Sequence, residues 1–143
     1  MSGINEFDLR GAQADYVCLL PATGANFVNA DLGKPAVIVN DAGVAKFGRG
    51  ADGDRVYGKI HVINQIKNDW KSGTNVAGPN DEITVQNKGF AEFVYTGAAP
   101  TVGASIVMSA TAGVVKAAAL SITAPHIVVN VDTVNTKVVV ELK

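Results

Sequence analysis

One stretch of the chain matches a motif that can hold the phosphates of a nucleotide. Residues 48–53 read GRGADG, which fits the spacing G-x-G-x-x-G. In dinucleotide-binding proteins this spacing works because a helix follows and its N-terminus receives the pyrophosphate. Residues 56–66 alternate between apolar and polar like a strand, so no helix dipole is expected here. We therefore interpret the motif as a hairpin loop and expect no nucleotide cofactor.

A second motif resembles a surface-sorting signal. Residues 20–24 read LPATG, which is similar to the LPxTG signal of Gram-positive surface proteins. That signal requires a membrane stretch and a basic tail after it, and neither follows this copy. We interpret the match as a coincidence.

Side chains that could ligate a metal or act as catalysts are sparse. Asp52 and Asp54 share a glycine-rich loop, but a good calcium site takes about 6–8 oxygens and a solvated turn explains both residues. His61 and His126 fall on the polar faces of predicted strands, with no second ligand at metal-binding spacing. Cys18 lies in an apolar run and is expected to be a buried, inert thiol without a base partner. We expect no metal, no cofactor and no enzymatic activity.

Aromatic side chains offer one alternative, a carbohydrate- or ligand-binding surface. Its candidate residues are Tyr57, His61 and Trp70, together with the loop at residues 69–81. Aromatic rings stack on sugars, although Trp70 is the single tryptophan of the chain. An aromatic residue in a long loop is equally expected as a plug over the mouth of a barrel.

Composition limits the class of protein. The chain has 143 residues, which suits one compact domain, and its net charge of −1 without a basic block argues against a nucleic-acid partner. Charged residues make up only 17% and hydrophobic residues 48%. Another chain is therefore expected to cover part of the surface, the alternative being a tightly folded β-protein rich in Ala and Val. The apolar runs are too short to span a membrane and no secretory signal is evident, so we expect synthesis in the cytoplasm and no membrane partner.

Alternating apolar residues predict strands from residue 36 onward. There are four sets of residues, and the members of each set are expected to share one face of a strand: Val56, Gly58, Ile60 and Val62; Ile83, Val85, Ala91, Phe93 and Tyr95; Ile127, Val129 and Val131; and Val138, Val140 and Leu142. Gly89 predicts a bulge or bend within one long strand. Turns at residues 40–43, 110–113 and 132–136 predict hairpins. The fold class is therefore all-β, a small β-barrel or sandwich of short antiparallel strands and hairpins, with barrel and sandwich both open.

The N-terminal part of the chain differs from the rest. Glycine and asparagine interrupt residues 1–35, and only residues 16–20 read as a strand. We predict an extended N-terminal arm over residues 1–35 with one short strand, and a β-barrel or sandwich domain over residues 36–143. Such arms often become ordered on a partner. The apolar side chains expected to make that contact are Ile4, Phe7, Leu9, Tyr16 and Phe27.

The chain contains one internal similarity. Residues 33–46 read GKPAVIVNDAGVAK and residues 103–116 read GASIVMSATAGVVK, with six residues identical at a constant offset. Two similar hairpins in related places of one barrel would explain it, as would the general likeness of hairpins.

Several segments in order resemble the capsid decoration (cement) proteins of tailed bacteriophages. They are residues 29–39 (NADLGKPAVIV), 53–60 (GDRVYGKI), 83–97 (ITVQNKGFAEFVYTG), 98–107 (AAPTVGASIV) and 113–116 (GVVK). The resemblance covers roughly residues 29–118, and it lies in the order of the segments, since each alone fits any β-hairpin.

This resemblance implies a structural virion protein on the capsid exterior. Such a protein binds the major capsid protein and cements neighbouring capsomers against internal pressure. It implies no catalytic residues and favours a homotrimer, made in the host cytoplasm. Within structural proteins, a phage tail component is the alternative.

Overall fold

The computed structural model describes residues 15–64, 76–77, 82–119 and 125–143. Within these ranges the elements are strands, apart from a 3₁₀ turn at Asn29–Asp31. The strands are β1 (Tyr16–Leu19), β2 (Phe27–Val28), β3 (Pro35–Asp41), β4 (Val44–Gly48), β5 (Gly58–Asn64), β6 (Val76–Ala77), β7 (Glu82–Gln86), β8 (Gly89–Val94), β9 (Ile106–Met108), β10 (Val115–Ala117), β11 (Ile127–Asp132) and β12 (Lys137–Leu142). The prediction of an all-β fold is confirmed.

The first half of the chain forms a five-stranded sheet in the order β1-β7-β5-β3-β4, with all neighbours antiparallel. The sheet curls into a half-barrel. Just after β1, Pro21 makes a parallel bridge to Phe47 on β4, so the chain leaving one edge strand meets the other edge strand. The predicted hairpin around residues 40–43 is confirmed as β3–β4.

The second half repeats this arrangement with its own strands. Three strands pair in the order β8-β12-β11, and β9 pairs with β10. Two backbone hydrogen bonds of 2.8 Å join Val128 on β11 to Gly103 and Ala104, just before β9. After β8, Tyr95 makes a parallel bridge to Val115 on β10. The resulting order is β8-β12-β11-β9-β10, which matches β1-β7-β5-β3-β4 strand for strand.

The match extends to individual hydrogen bonds. In the first half, Gly33 N–H donates to the Ile60 carbonyl at 2.8 Å, and Ile60 N–H donates to the Lys34 carbonyl at 2.9 Å. These are the counterparts of the bonds at Val128, and a register shift follows both Ile60 and Val128. We call β1, β3, β4, β5 and β7 the first unit, and β8 to β12 the second unit. The internal similarity therefore marks hairpins at the same place in two units, not two hairpins of one barrel.

Each unit buries its own core. The first core contains the residues Phe27, Ala36, Phe47, Ile60, Ile83 and Val85. The second core is larger and includes Phe93, Ile106, Met108, Val128, Val138 and Val140. Strand β3 serves both, because Ala36 faces the first core while its neighbour Val37 faces the second.

Most of the described part of the predicted arm belongs to the first unit. The predicted boundary after residue 35 falls inside β3, and β1 and β2 lie before it. β1 is an edge strand of the first sheet, and Phe27 on β2 is fully buried. The predicted loop at residues 69–81 lies outside the described residues except for β6, which pairs with β2.

Three local predictions from the alternation pattern are wrong. Gly89 does not bend one long strand; the chain leaves the first unit after β7, and β8 begins the second unit. The register shift after Ile60 turns Val62 outward, where it is 40% exposed. On β11 it is Val128, not its neighbours at 127 and 129, that is fully buried.

Candidate functional site: the cleft between the two units

The G-x-G-x-x-G motif has a structural role. Nε and Nη2 of Arg49 donate to the two carboxylate oxygens of Asp31 at 3.2 and 2.8 Å, and the guanidinium lies 4.8 Å from the centre of the Phe27 ring. A Cβ on Gly48 or Gly50 would lie within 2.7 Å of the side chain of Val39 or Val37 respectively. The motif thus packs the 26–31 segment onto the end of β4, and the following β5 is a strand, as the alternation predicts.

The LPATG stretch is also structural. The Phe47 N–H donates to the Leu20 carbonyl at 3.0 Å, and Ala22 N–H donates to the Phe47 carbonyl at 2.8 Å. The hydroxyl and the N–H of Thr23 both donate to Asp41 Oδ2, at 2.8 and 3.0 Å. Together with the 2.9 Å ion pair to Lys46, these bonds lower the pKa of Asp41 to about 2. The stretch fastens the chain after β1 to the β3–β4 hairpin.

The acidic residues of the glycine-rich loop have protein partners. Asp52 forms a 2.7 Å ion pair with Lys116 of the second unit, and Asp54 Oδ2 accepts a 2.7 Å hydrogen bond from Ala51 N–H. Among the described residues, no three His, Cys, Asp or Glu side chains are grouped so that they could hold a metal ion. Those ranges also contain no helix that could span a lipid bilayer.

Cys18 is exposed, so the prediction of a buried thiol is wrong. On β1 the neighbours Val17 and Leu19 face the first core, and the alternation of the strand turns Cys18 outward. Its Sγ lies 3.2 Å from Thr84 Oγ1 on β7.

The structure describes two of the five side chains that are predicted to contact a partner, Tyr16 and Phe27. Ile4, Phe7 and Leu9 lie outside the described residues. Tyr16 is 49% exposed on β1, and its ring centre is 4.7 Å from that of His61. Phe27 is fully buried in the first core, so only a rearrangement of that core would let it touch a partner.

Two exposed aliphatic side chains occupy equivalent places in the two units. Leu32 (44% exposed) precedes Gly33, and Val102 (62% exposed) precedes Gly103, with both glycines at positive φ. Each pair is the centre of a turn closed by a backbone hydrogen bond, of 3.1 Å in the first unit and 3.0 Å in the second. The sequence analysis did not identify this pair, although Leu32 and Val102 are separated by the same number of positions as the matching residues of the internal similarity.

A cleft of about 460 Å³ lies where the two units meet. One wall is the segment before β5 in the first unit, and the other is the segment before β11 in the second unit. Asn87 follows β7 and Lys143 follows β12, so these two positions are also equivalent. The lining residues are Val37, Ile38, Asp54, Arg55, Val56, Tyr57, Asn87, Pro125, His126 and Lys143.

His126 fastens the two units together in this cleft. It is only 3% exposed, contrary to the prediction that it lies on a polar strand face, because it precedes β11 and turns inward between the units. Its Nδ1 accepts a 3.0 Å hydrogen bond from Lys143 N–H, so the proton of the neutral ring lies on Nε2, which donates to the Val56 carbonyl at 2.8 Å. Burial lowers the pKa of His126.

Polar groups without protein partners also face this region. The Asn87 Nδ2 donates to the Tyr57 hydroxyl at 3.3 Å, but no described residue donates a hydrogen bond to the buried Asn87 Oδ1. Within the described ranges, Asp54 Oδ1 accepts no hydrogen bond and the exposed Arg55 has no ion-pair partner. The Tyr57 ring packs on Phe47, with ring centres 5.8 Å apart.

Only part of the predicted aromatic surface is found in the cleft. Tyr57 lines it, His61 instead stacks on Tyr16 at the outer face of the first sheet, and Trp70 lies outside the described residues. Asn87, Arg55 and His126 were not predicted as site residues. The sequence carries no signal for them, because the cleft exists only where two units pack.

Comparisons with protein-family models, with curated proteins and with solved structures found no match to this chain.

Proposed function

We propose that this chain is a capsid decoration protein of a tailed bacteriophage, which binds the major capsid protein on the outside of the capsid and cements neighbouring capsomers. The observation that supports the proposal best is the internal duplication. One chain carries two copies of one β-unit, and a capsid surface is itself a repetition of one subunit. A protein with two equivalent surfaces can bind two neighbouring copies of the same partner.

Two attachment points in one chain would explain how contacts of small area hold the protein firmly on the capsid. Linking two binding modules turns the second attachment into an intramolecular step, which raises the overall affinity by about 10²–10⁴ over that of one module. Leu32 and Val102 are large, exposed apolar side chains at equivalent positions of the two units. We propose that each packs against the same kind of apolar depression on a capsid subunit.

The test is binding of purified variants to capsids that lack the protein. Leu32→Asp and Val102→Asp should each weaken binding by about 10²-fold, because either one leaves each chain with one attachment instead of two. The double variant should not bind. Val134→Asp is the matched control, since Val134 is 88% exposed at the tip of the β11–β12 hairpin and has no counterpart among the described residues of the first unit. If either single variant bound as well as the unchanged protein, bivalent attachment through these turns would be refuted.

The N-terminal contact is a separate part of the proposal. A deletion must stop before β1, because β1 is a strand of the first unit and Phe27 is buried in the first core. Removing residues 2–14 takes away Ile4, Phe7 and Leu9 and leaves every described residue in place. We expect weaker capsid binding with an unchanged unfolding temperature. Unchanged binding would exclude a contact through this segment.

We further propose that the protein is a homotrimer. The low charged fraction of 17% and exposed aliphatic residues such as Val44 and Val94 support self-association. Analytical ultracentrifugation should give three times the chain mass of 14.8 kDa at micromolar concentration. A species of one chain mass would reject the trimer without affecting the capsid proposal.

A further inference from the structure

We propose that the cleft between the two units binds a neutral sugar ring. The proposal is independent of capsid binding and rests on the polar groups that the fold leaves unpaired there. They differ in chemistry, and a ring with several hydroxyl groups can satisfy them together.

The first of these groups is the buried carbonyl oxygen of the Asn87 side chain. Its amide nitrogen donates to the Tyr57 hydroxyl at 3.3 Å, yet Oδ1 accepts no hydrogen bond from any residue in the part of the chain that the structure describes. A buried acceptor without a donor is unfavourable, and native proteins normally satisfy such groups. Because Oδ1 is closed to solvent, a ligand in the cleft reaches it only when the Asn87 side chain turns outward, and a ligand that brings an O–H or N–H donor then satisfies it.

The second feature is a pair of neighbouring groups of opposite charge. Asp54 Oδ2 is occupied by Ala51 N–H, while Oδ1 remains available as an acceptor among the described residues. Arg55, the next residue, offers its guanidinium as a donor and has no ion-pair partner in those ranges. A hydroxyl group both donates and accepts, so hydroxyls match this combination. The charges of Asp54 and Arg55 offset each other, and Lys143, which also lines the cleft, offers a further donor for hydroxyl groups.

The third feature is the apolar part of the lining. Val37, Ile38 and Pro125 line the same cleft as Asn87 and Arg55. A sugar ring carries C–H groups on its faces and hydroxyls around its rim, so it can cover apolar side chains while its rim meets the polar ones. The volume of about 460 Å³ lies in the lower part of the roughly 300–1,000 Å³ range of small-molecule sites. That size suits a compact ring.

The test is a titration of the ¹⁵N-labelled protein with D-glucose, D-galactose, D-mannose and N-acetylglucosamine, followed by NMR. We expect at least one sugar to bind at millimolar concentration and to shift the Asn87 side-chain amide and the backbone signals of Arg55 and Tyr57. Cyclohexanol, which has one hydroxyl and a similar ring, should bind at least about tenfold more weakly because most of the hydrogen bonds are missing.

Two variants locate the binding. Asn87→Ala and Arg55→Gln should each weaken the sugar about tenfold, which is the effect of one lost hydrogen bond. Arg55 is exposed, so its variant tests the site even if Asn87→Ala disturbs the fold. Asn26→Ala is the matched control, because the Asn26 side chain is exposed and lies outside the cleft.

Three results would overturn the proposal. They are no shift with any of the four sugars at millimolar concentration, equal binding of cyclohexanol, and shifts confined to the Tyr16–His61 face. None of them would bear on capsid binding, which the Leu32 and Val102 variants test separately.

Discussion

The His126 contact between the two units predicts that the stability of the protein depends on pH near neutrality. Burial lowers the pKa of His126 below its ordinary value of 6.5. The folded state therefore keeps the ring neutral, while the unfolded chain takes up a proton near pH 6.5. The stabilisation from the neutral ring is complete above about pH 6.5 and is lost as the pH falls from there toward the folded-state pKa.

Burial determines the direction of the pH dependence, and the two hydrogen bonds determine the cost of removing the ring. Protonation places a hydrogen on Nδ1, which then cannot accept the 3.0 Å bond from Lys143 N–H. Each unit of pKa depression contributes about 1.4 kcal/mol to the free energy of unfolding at neutral pH. His126→Ala removes both bonds and leaves the buried Val56 carbonyl and the Lys143 N–H without partners, so we expect a loss of about 2–4 kcal/mol at neutral pH.

Urea unfolding between about pH 7.5 and pH 5 measures both quantities. His126→Gln cannot titrate, while its amide can still donate to the Val56 carbonyl, so its stability should be flatter with pH than that of the unchanged protein. His61→Gln is the matched control and should keep the full pH dependence, because His61 lies exposed on the outer face of the first sheet. An equal pH slope in His126→Gln and the unchanged protein would refute the buried neutral histidine.

Three further predictions concern the loops that hold the first unit together. Arg49→Ala should lower the free energy of unfolding by about 1–3 kcal/mol, since it breaks the ion pair with Asp31; a double-mutant cycle with Asp31→Ala should show that the two losses are not additive. Ala42→Gly should raise the free energy of unfolding by about 0.5–1 kcal/mol in chemical denaturation, because Ala42 has a φ of +52° in the β3–β4 turn. Thr23→Val should raise the pKa of Asp41 from about 2 toward 3.8 in a carboxyl-carbon NMR titration, and an unchanged pKa would contradict the role of the Thr23 hydroxyl.

The sequence predicts the elements of the fold better than their arrangement. Hairpins with glycine in the turn are local, so the turns at residues 43 and 113 are visible as sequence patterns and are confirmed. The register shifts after Ile60 and Val128 are set by pairing with strands distant in the chain, and alternation alone places Val62 and Val128 on the wrong faces.

The internal similarity between residues 33–46 and 103–116 is the visible part of a longer structural correspondence between the two units. It covers one hairpin of each unit, whereas the equivalence of β1 with β8 and of β7 with β12 leaves little trace in the sequence. Strand order depends on backbone hydrogen bonds, which many side chains permit, so two segments of different sequence can form the same unit. Glycine stands at both 33 and 103 because both positions have positive φ in the same turn.

The candidate site was the least predictable part. Asn87 lies on the connection between the units. The surroundings of its side-chain oxygen depend on the packing of Tyr57 beside it, which the sequence does not reveal. Phe27 is an apolar residue in a glycine-rich segment, so the sequence predicts that it belongs to an arm. In the structure its strand pairs with β6 and its side chain is buried.

Quantitative mass spectrometry of heads and tails, separated from virions purified from the source of this sequence, tests the proposed function most directly. The capsid decoration proposal predicts this polypeptide in the head fraction at a copy number comparable to that of the major capsid protein. Its presence only in tails, or in neither fraction, would contradict the proposal.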